Sequence, residues 1–347
     1  MENELDPTLT APAQPSLTEK IGRRFPHGAR GIIGALLSLG LFTVALVIIG
    51  DTLSHTRFSD IAAALAETRP GQIAAALLFT ILSYAALTGY DASALSRIRV
   101  RVRYRVIALA SFASYAVSFN LGFPVITGAA VRYWVYARAP LSAAQVANVT
   151  IITGVTFWLG VAMTFGYSLV ARATTLATLD HAPALLHVFL GVVVIAGVVA
   201  YCVWVALEPR QLRIRGHAFE LPGPGAAILQ ICVGAADLCA AAAALYALLP
   251  PAIDLDFTAF VAVYIFACVL GVASHTPGGI GVFEATMLHA LPGAPHERLL
   301  AALLLFRAIY YFLPFILALA ALGADEGARR WPALRDAIAR FVEERSR

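Results

Sequence analysis

Eight apolar runs of roughly 20 residues recur along the chain, and each is long enough to cross a hydrocarbon core of about 30 Å. They fall at about 31 to 50, 70 to 95, 106 to 123, 143 to 171, 183 to 206, 225 to 249, 257 to 274 and 298 to 322 of the 347 residues. The pattern predicts an all-α polytopic membrane protein. Charged residues make up 13% of the sequence and hydrophobic ones 60%, against about 25% charged in a soluble domain. A water-soluble enzyme is therefore excluded.

The 25 cationic and 21 acidic side chains leave a net charge of +4. The cations are arginines except Lys20 and stand in short loops between apolar runs, where they act as orientation signals; a soluble basic face for nucleic acid is absent from the pattern. Cys202, Cys232, Cys239 and Cys268 lie inside apolar runs with no CxxC pair, so they read as small buried hydrophobes, and no metal site is expected. Residues 1–30 are polar at the start and read as a disordered cytoplasmic tail with no cleavable signal. Residues 56–68 and 323–347 read as amphipathic. Trp331, Leu334, Ile338, Phe341 and Val342 share a face among arginines in the second, which suits the inner leaflet.

Two stretches break the pattern at membrane depth: Gly122 to Arg132, around Pro124, and His275 to Glu284, around Pro277. Lipid does not tolerate their unpaired amides, so both must be buried in protein or face a wet cavity. Parity of the arginine-marked loops gives them a place. Arg97 to Arg105 and Arg210 to Arg215 both read as cytoplasmic, yet three apolar runs separate them. One run must enter and return, and 106–138 is the natural re-entrant hairpin. The same argument makes the stretch around Pro277 a second hairpin. A shift of 153 residues superposes Pro124 on Pro277, Gly128 on Gly281, and each apolar run of 31–171 on one of 183–322. The expected fold is thus two inverted repeats in a transmembrane domain of 31–322, each with three spanning helices and one re-entrant hairpin, a transporter design.

Ionisable groups at depth are functional candidates. Arg132 and Glu284 each lie about two turns into the half-helix after their break, Arg307 sits in the last span, and Asn120 and Asn148 supply polar company. A lone guanidinium at depth needs a counter-charge, and Glu284 or a lipid phosphate is available to Arg307. The amides of Gly278, Gly279 and Gly281 form a candidate anion cradle or, equally, a tight turn. Asp237, among alanines, is a candidate proton relay or a partner in helix–helix hydrogen bonding. His275 reads as a turn residue. HExxH, GxSxG and Walker strings are absent; no catalytic residue and no cofactor are assigned.

The strings Phe119 to Phe123, Gly128 to Tyr133, Thr276 to Glu284 and Arg307 to Pro314 resemble the membrane domain of bacterial lysylphosphatidylglycerol synthase/flippase proteins, the multiple peptide resistance factors. The likeness spans about residues 30 to 322, and the Pro-Gly-Gly-x-Gly-x-x-Glu string is its most specific part. The resemblance implies movement of aminoacylated phosphatidylglycerol between leaflets. The chain runs about 25 residues past its last span, which implies a stand-alone form lacking the synthase domain.

These readings converge on an inner-membrane phospholipid translocator, N- and C-termini cytoplasmic. Its expected partner is phosphatidylglycerol or its aminoacylated form, with Arg132, Arg307, Glu284, Asn120, Gly278, Gly279 and Gly281 at the head group. Two alternatives stay open: an intramembrane lipid-modifying enzyme with Glu284 or Asp237 as base, and a non-transporting partner of a separate synthase. A homo-oligomer also stays open.

Overall fold

The computed structural model describes residues 58–328 apart from 99, 122–123, 138, 140, 208–210, 215–216, 221–223, 252 and 292–294. The apolar run at 31 to 50, the polar tail before it and the basic amphipathic stretch from 329 lie outside these residues.

Five described helices are long and apolar enough to span a membrane: α2 (Pro70–Arg97), α5 (Ala143–Ala171), α7 (Ala184–Leu207), α8 (Pro224–Tyr246) and α11 (His296–Ala328). The chain is a multi-pass membrane protein. At about 1.5 Å per residue the 29 residues of α5 reach about 43 Å. The remaining helices are α1 (Phe58–Ala66), α3 (Tyr104–Leu121), α4 (Pro124–Tyr136), α6 (Ala173–Asp180), α9 (Phe257–Ala273) and α10 (Val282–Ala290). None of these reaches the length of the five, and α9, with 17 residues, extends only about 26 Å.

Local chemistry sets the helix starts. Pro70 occupies the first turn of α2, where its missing amide costs nothing. Ser142 and Gln145 form a reciprocal capping box on α5, with bonds of 3.3 and 2.8 Å. Asp256 caps α9 by accepting from Thr258 and Ala259, and it also pairs with Arg172 at 2.8 Å, tying the end of α5 to the start of α9.

The long helices turn leucine, isoleucine and phenylalanine outward, among them Ile81, Leu185, Phe189 and Ile316, as suits contact with acyl chains. Their mutual packing rests on small residues instead. Helices α5 and α8 touch backbone to backbone at Gly160 and Gly234; a Cβ on Gly160 would lie 2.6 Å from the Gly234 Cα.

Helices α3 and α4 double back on one another, with Thr127 donating to Ser118 at 3.1 Å. Helix α9, a 3₁₀ turn at Pro277–Gly279 and α10 form a second such hairpin. The helix starts recur at one offset. Tyr104 and Phe257, Pro124 and Pro277, and Ala143 and His296 open corresponding elements, each pair 153 residues apart.

Two expectations need correction. The loop between α7 and α8 carries a two-stranded antiparallel ribbon, β1 (Gln211–Ile214) against β2 (His217–Glu220), so the described residues are helical apart from this excursion. The four cysteines are free, but none is buried as expected: Cys232 is exposed, because its face of α8 points outward, and Cys202, Cys239 and Cys268 are half-buried.

Candidate functional site

The tips of the two helical hairpins meet. Gly278, at φ +61°, lies so close to the end of α3 that a Cβ there would stand 2.9 Å from the Phe119 carbonyl oxygen. Asn120 donates its amide to the Ala116 carbonyl at 2.8 Å and to the Tyr311 carbonyl at 3.1 Å, fastening the same helix end to α11. At this level α11 widens into a π-helical turn at Arg307–Phe312, a form that occurs mostly as single turns at functional positions. Pro314 has no amide for the Tyr310 carbonyl; the Tyr84 hydroxyl donates to it instead, at 3.3 Å.

Between the hairpins, α8 and α11 lies a cavity of about 350 Å³. Phe119, Ile126, Phe157, Tyr264, Phe283 and Tyr310 give it a largely apolar wall, and Asp237 supplies a carboxyl group. Ile126, at the start of α4, is 70% exposed, so one side of the cavity reaches the lipid-facing surface.

Arg307 sits just behind this wall, stacked on Tyr311 at 4.5 Å and on Phe283 at 5.4 Å. Its Nε donates to Glu284 Oε1 at 2.6 Å and its Nη1 to the Gly278 carbonyl at 2.6 Å. The Glu284–Arg307 pair is thus present, and it clamps the Pro277–Gly279 turn to α11. The other Glu284 oxygen accepts from the Gly281 amide at 2.8 Å. The Gly279 amide donates to Thr276 and that of Ile280 to Pro277. Of the glycine amides expected to hold an anion, those of Gly279 and Gly281 are therefore engaged, because the turn closes its own donors. Arg307 Nη2 is different: it is buried and has no partner among the described residues.

Arg132 lies elsewhere. It forms a bidentate pair with Asp91 on α2, Nε to Oδ2 at 3.0 Å and Nη2 to Oδ1 at 2.9 Å, and stacks on Tyr115 at 4.8 Å. The Tyr136 hydroxyl also donates to Asp91, at 2.9 Å. Arg132, like Arg307, is absent from the cavity lining, and it differs from Arg307 in that both ends of its fork are taken up by Asp91. His275, at φ +55°, makes the turn after α9, its Nδ1 against the Ala273 carbonyl.

Asp237 receives hydrogen bonds from Ser83 at 2.5 Å and Tyr90 at 3.0 Å, both on α2. Ser83 is also 2.8 Å from the Tyr310 hydroxyl. Sequence reasoning missed Asp91, Ser83, Tyr90 and Tyr310. Asp91 had a signal, being an acid at the end of an apolar run; the hydroxyls had none, since serine and tyrosine are unremarkable in a span.

Residues 31–318 match the model of the family described as the lysylphosphatidylglycerol synthase TM region. The chain belongs to this family. Among its relatives, the uncharacterised protein slr0712 of Synechocystis is 29% identical over 296 residues, covering 85% of this chain and 92% of that one. The inner membrane protein YbhN of Escherichia coli is 28% identical over 243 residues, 69% of this chain and 75% of that one. A phosphatidylglycerol lysyltransferase of Staphylococcus haemolyticus is 44% identical over 69 residues, 19% of this chain and 8% of the transferase.

Proposed function

We propose that this family member is an inner-membrane lipid translocator whose cargo carries a phosphate, with phosphatidylglycerol or its aminoacylated form as the head group. The observation that carries the reading is the apolar cavity between the hairpin tips with Arg307 behind its wall: an amphiphile needs an apolar enclosure and a cation with a donor to spare. Nη2 is that donor, and a planar guanidinium suits phosphate oxygens. Glu284 and Gly278 hold the other two nitrogens, so the guanidinium is already oriented. Asn120 fixes the backbone beside it. The name of the staphylococcal relative supports the choice of phosphatidylglycerol.

In this reading the two hairpins are re-entrant and belong to inverted repeats, with both termini cytoplasmic. The 153-residue offset of the helix starts supports the repeat, and the shortness of α9 supports re-entrance. Arg132 and Asp91 hold α4 against α2 and serve as scaffold.

The test is movement of fluorescent phosphatidylglycerol and lysylphosphatidylglycerol across vesicles containing the purified protein, followed by mass spectrometry of the lipid. Movement with an unchanged lipid mass is expected. A new lipid mass would overturn the reading in favour of an enzyme, and absence of movement for both lipids would overturn it in favour of a non-transporting partner.

A further inference from the structure

Asp237 is 3% exposed, lies near the middle of a spanning helix and is held by hydroxyls alone. The titratable groups near enough to interact with it electrostatically are Tyr84 and Tyr90 on α2, Tyr115 on α3, Cys268 on α9, Tyr310 on α11 and, on its own helix, Cys239. None of them is a cation. This sets it apart from Asp91 and Glu284, each paired with an arginine at 2.9 and 2.6 Å. An ionised intramembrane carboxylate without a counter-charge is costly, and such a group is a functional candidate by default.

The hydroxyls around it have a direction. Ser83 has one proton and donates it to Asp237 Oδ1. The Tyr310 hydroxyl, 2.8 Å from Ser83, is therefore the donor in that contact. Tyr90 donates to the other carboxyl oxygen and is not part of the cavity wall, whereas Tyr310 is. The chain of oxygens is closed at Tyr90, whereas Asp237 and Tyr310 both belong to the cavity wall, so the hydroxyl relay runs beside the carboxyl group's own contact with the cavity.

We propose that Asp237 exchanges one proton with the cavity through Tyr310 and Ser83, and that this exchange couples lipid movement to the proton gradient. In the transfer a hydronium in the cavity gives a proton to the Tyr310 oxygen, Tyr310 passes its own to Ser83 Oγ, and Ser83 passes its own to Asp237 Oδ1. Three O–H bonds break, three form, and no electron moves. The coupling follows from charge: an anionic carboxylate and a phosphate repel in a low-dielectric cavity, so an anionic head group enters when Asp237 is protonated. Proton and anionic lipid then travel together. This inference rests on the lipid-translocation reading above.

Two measurements separate the failure of one from the failure of the other. Infrared difference spectra of the purified full-length protein, titrated with pH, should contain a protonated-carboxyl band that Asp237→Asn removes; a carboxyl that keeps one state across the titration overturns the proposal whatever the lipid does. In phosphatidylcholine vesicles with trace fluorescent phosphatidylglycerol and a trapped pH dye, an imposed gradient should speed lipid movement in the direction of proton flow, and acidification of the lumen should accompany it. In Asp237→Asn the rate should no longer change with the gradient. Ser83→Ala, which leaves the carboxyl in place, should weaken the response. Lipid movement indifferent to the gradient in the unmodified protein overturns the coupling and leaves translocation standing. A titrating band with no lipid movement would sink the translocation reading and, with it, the coupling.

Discussion

Arg132 and Asp91 meet through two parallel hydrogen bonds across α4 and α2, with side chains 3% and 0% exposed. No part of either charge reaches the surrounding lipid. The first hairpin is thus anchored to a spanning helix by a contact that water and salt do not screen.

Removing one partner leaves the other buried and alone, which costs roughly 3 to 5 kcal/mol. Asp91→Ala should lower the thermal midpoint of the detergent-purified protein far more than Glu67→Gln, since Glu67 pairs with Arg298 on an exposed surface and such pairs contribute about 0 to 1 kcal/mol. The double variant Asp91→Leu with Arg132→Met should recover much of the loss. Equal midpoints for the Asp91 and Glu67 variants would refute the anchor.

At the Gly160–Gly234 contact the two helices have no room for a side chain. Gly160→Ala should lower the midpoint, because the Cβ would stand 2.5 Å from the Gly234 carbonyl carbon. Gly197→Ala on α7 is the contrast: nothing lies within 4 Å of its added methyl, and helix propensity favours alanine by about 1 kcal/mol. Its midpoint should hold or rise, and a fall equal to that of Gly160→Ala would contradict the packing account.

Arg307→Lys keeps the charge and loses the fork. A single ammonium cannot bridge Glu284, Gly278 and a phosphate with the same geometry, so movement of phosphatidylglycerol between leaflets should slow while the protein remains folded. Stopped-flow quenching of labelled lipid measures the rate, and a rate equal to that of the unmodified protein would remove Arg307 from the head-group site.

Topology is checked by single cysteines in a background lacking the natural four. Positions 180, at the end of α6, and 254, just before α9, are both exposed and should react with an impermeant thiol reagent added to the periplasmic side, and position 101 should not. Labelling of 101 from that side would reverse the orientation.

What the sequence makes legible is what lipid imposes directly. The run at 143 to 171 is α5 to the residue, and the run at 183 to 206 is α7 within one residue at each end, because length and apolarity are the membrane's own requirements. Both Pro-Gly breaks are also where the chain turns. Partnership is less legible. Arg132 and Glu284 stand at similar distances after their breaks, yet one faces Asp91, 41 residues earlier in the chain, and the other Arg307, 23 residues later. Nothing in the spacing distinguishes them. Two of the three glycine amides mislead for a local reason: a string such as Pro-Gly-Gly-Ile-Gly advertises donors, and only the folded turn reveals that those of Gly279 and Gly281 are taken up by the Thr276 carbonyl and Glu284.

The widened turn in α11 settles which way the two ends of that helix face. Leu299 and Leu322 are both buried, although 23 residues of uninterrupted α-helix would set them about 140° apart around the axis at 3.6 residues per turn. One residue absorbed by the π turn brings that difference down to about 40°. The π turn thus takes up one extra residue and keeps the buried stripe of a 33-residue helix in phase from end to end; a one-residue deletion there would restore regular α-helix with the stripe still in phase, whereas the same sequence forced into regular α-helix would turn half of the helix toward the lipid.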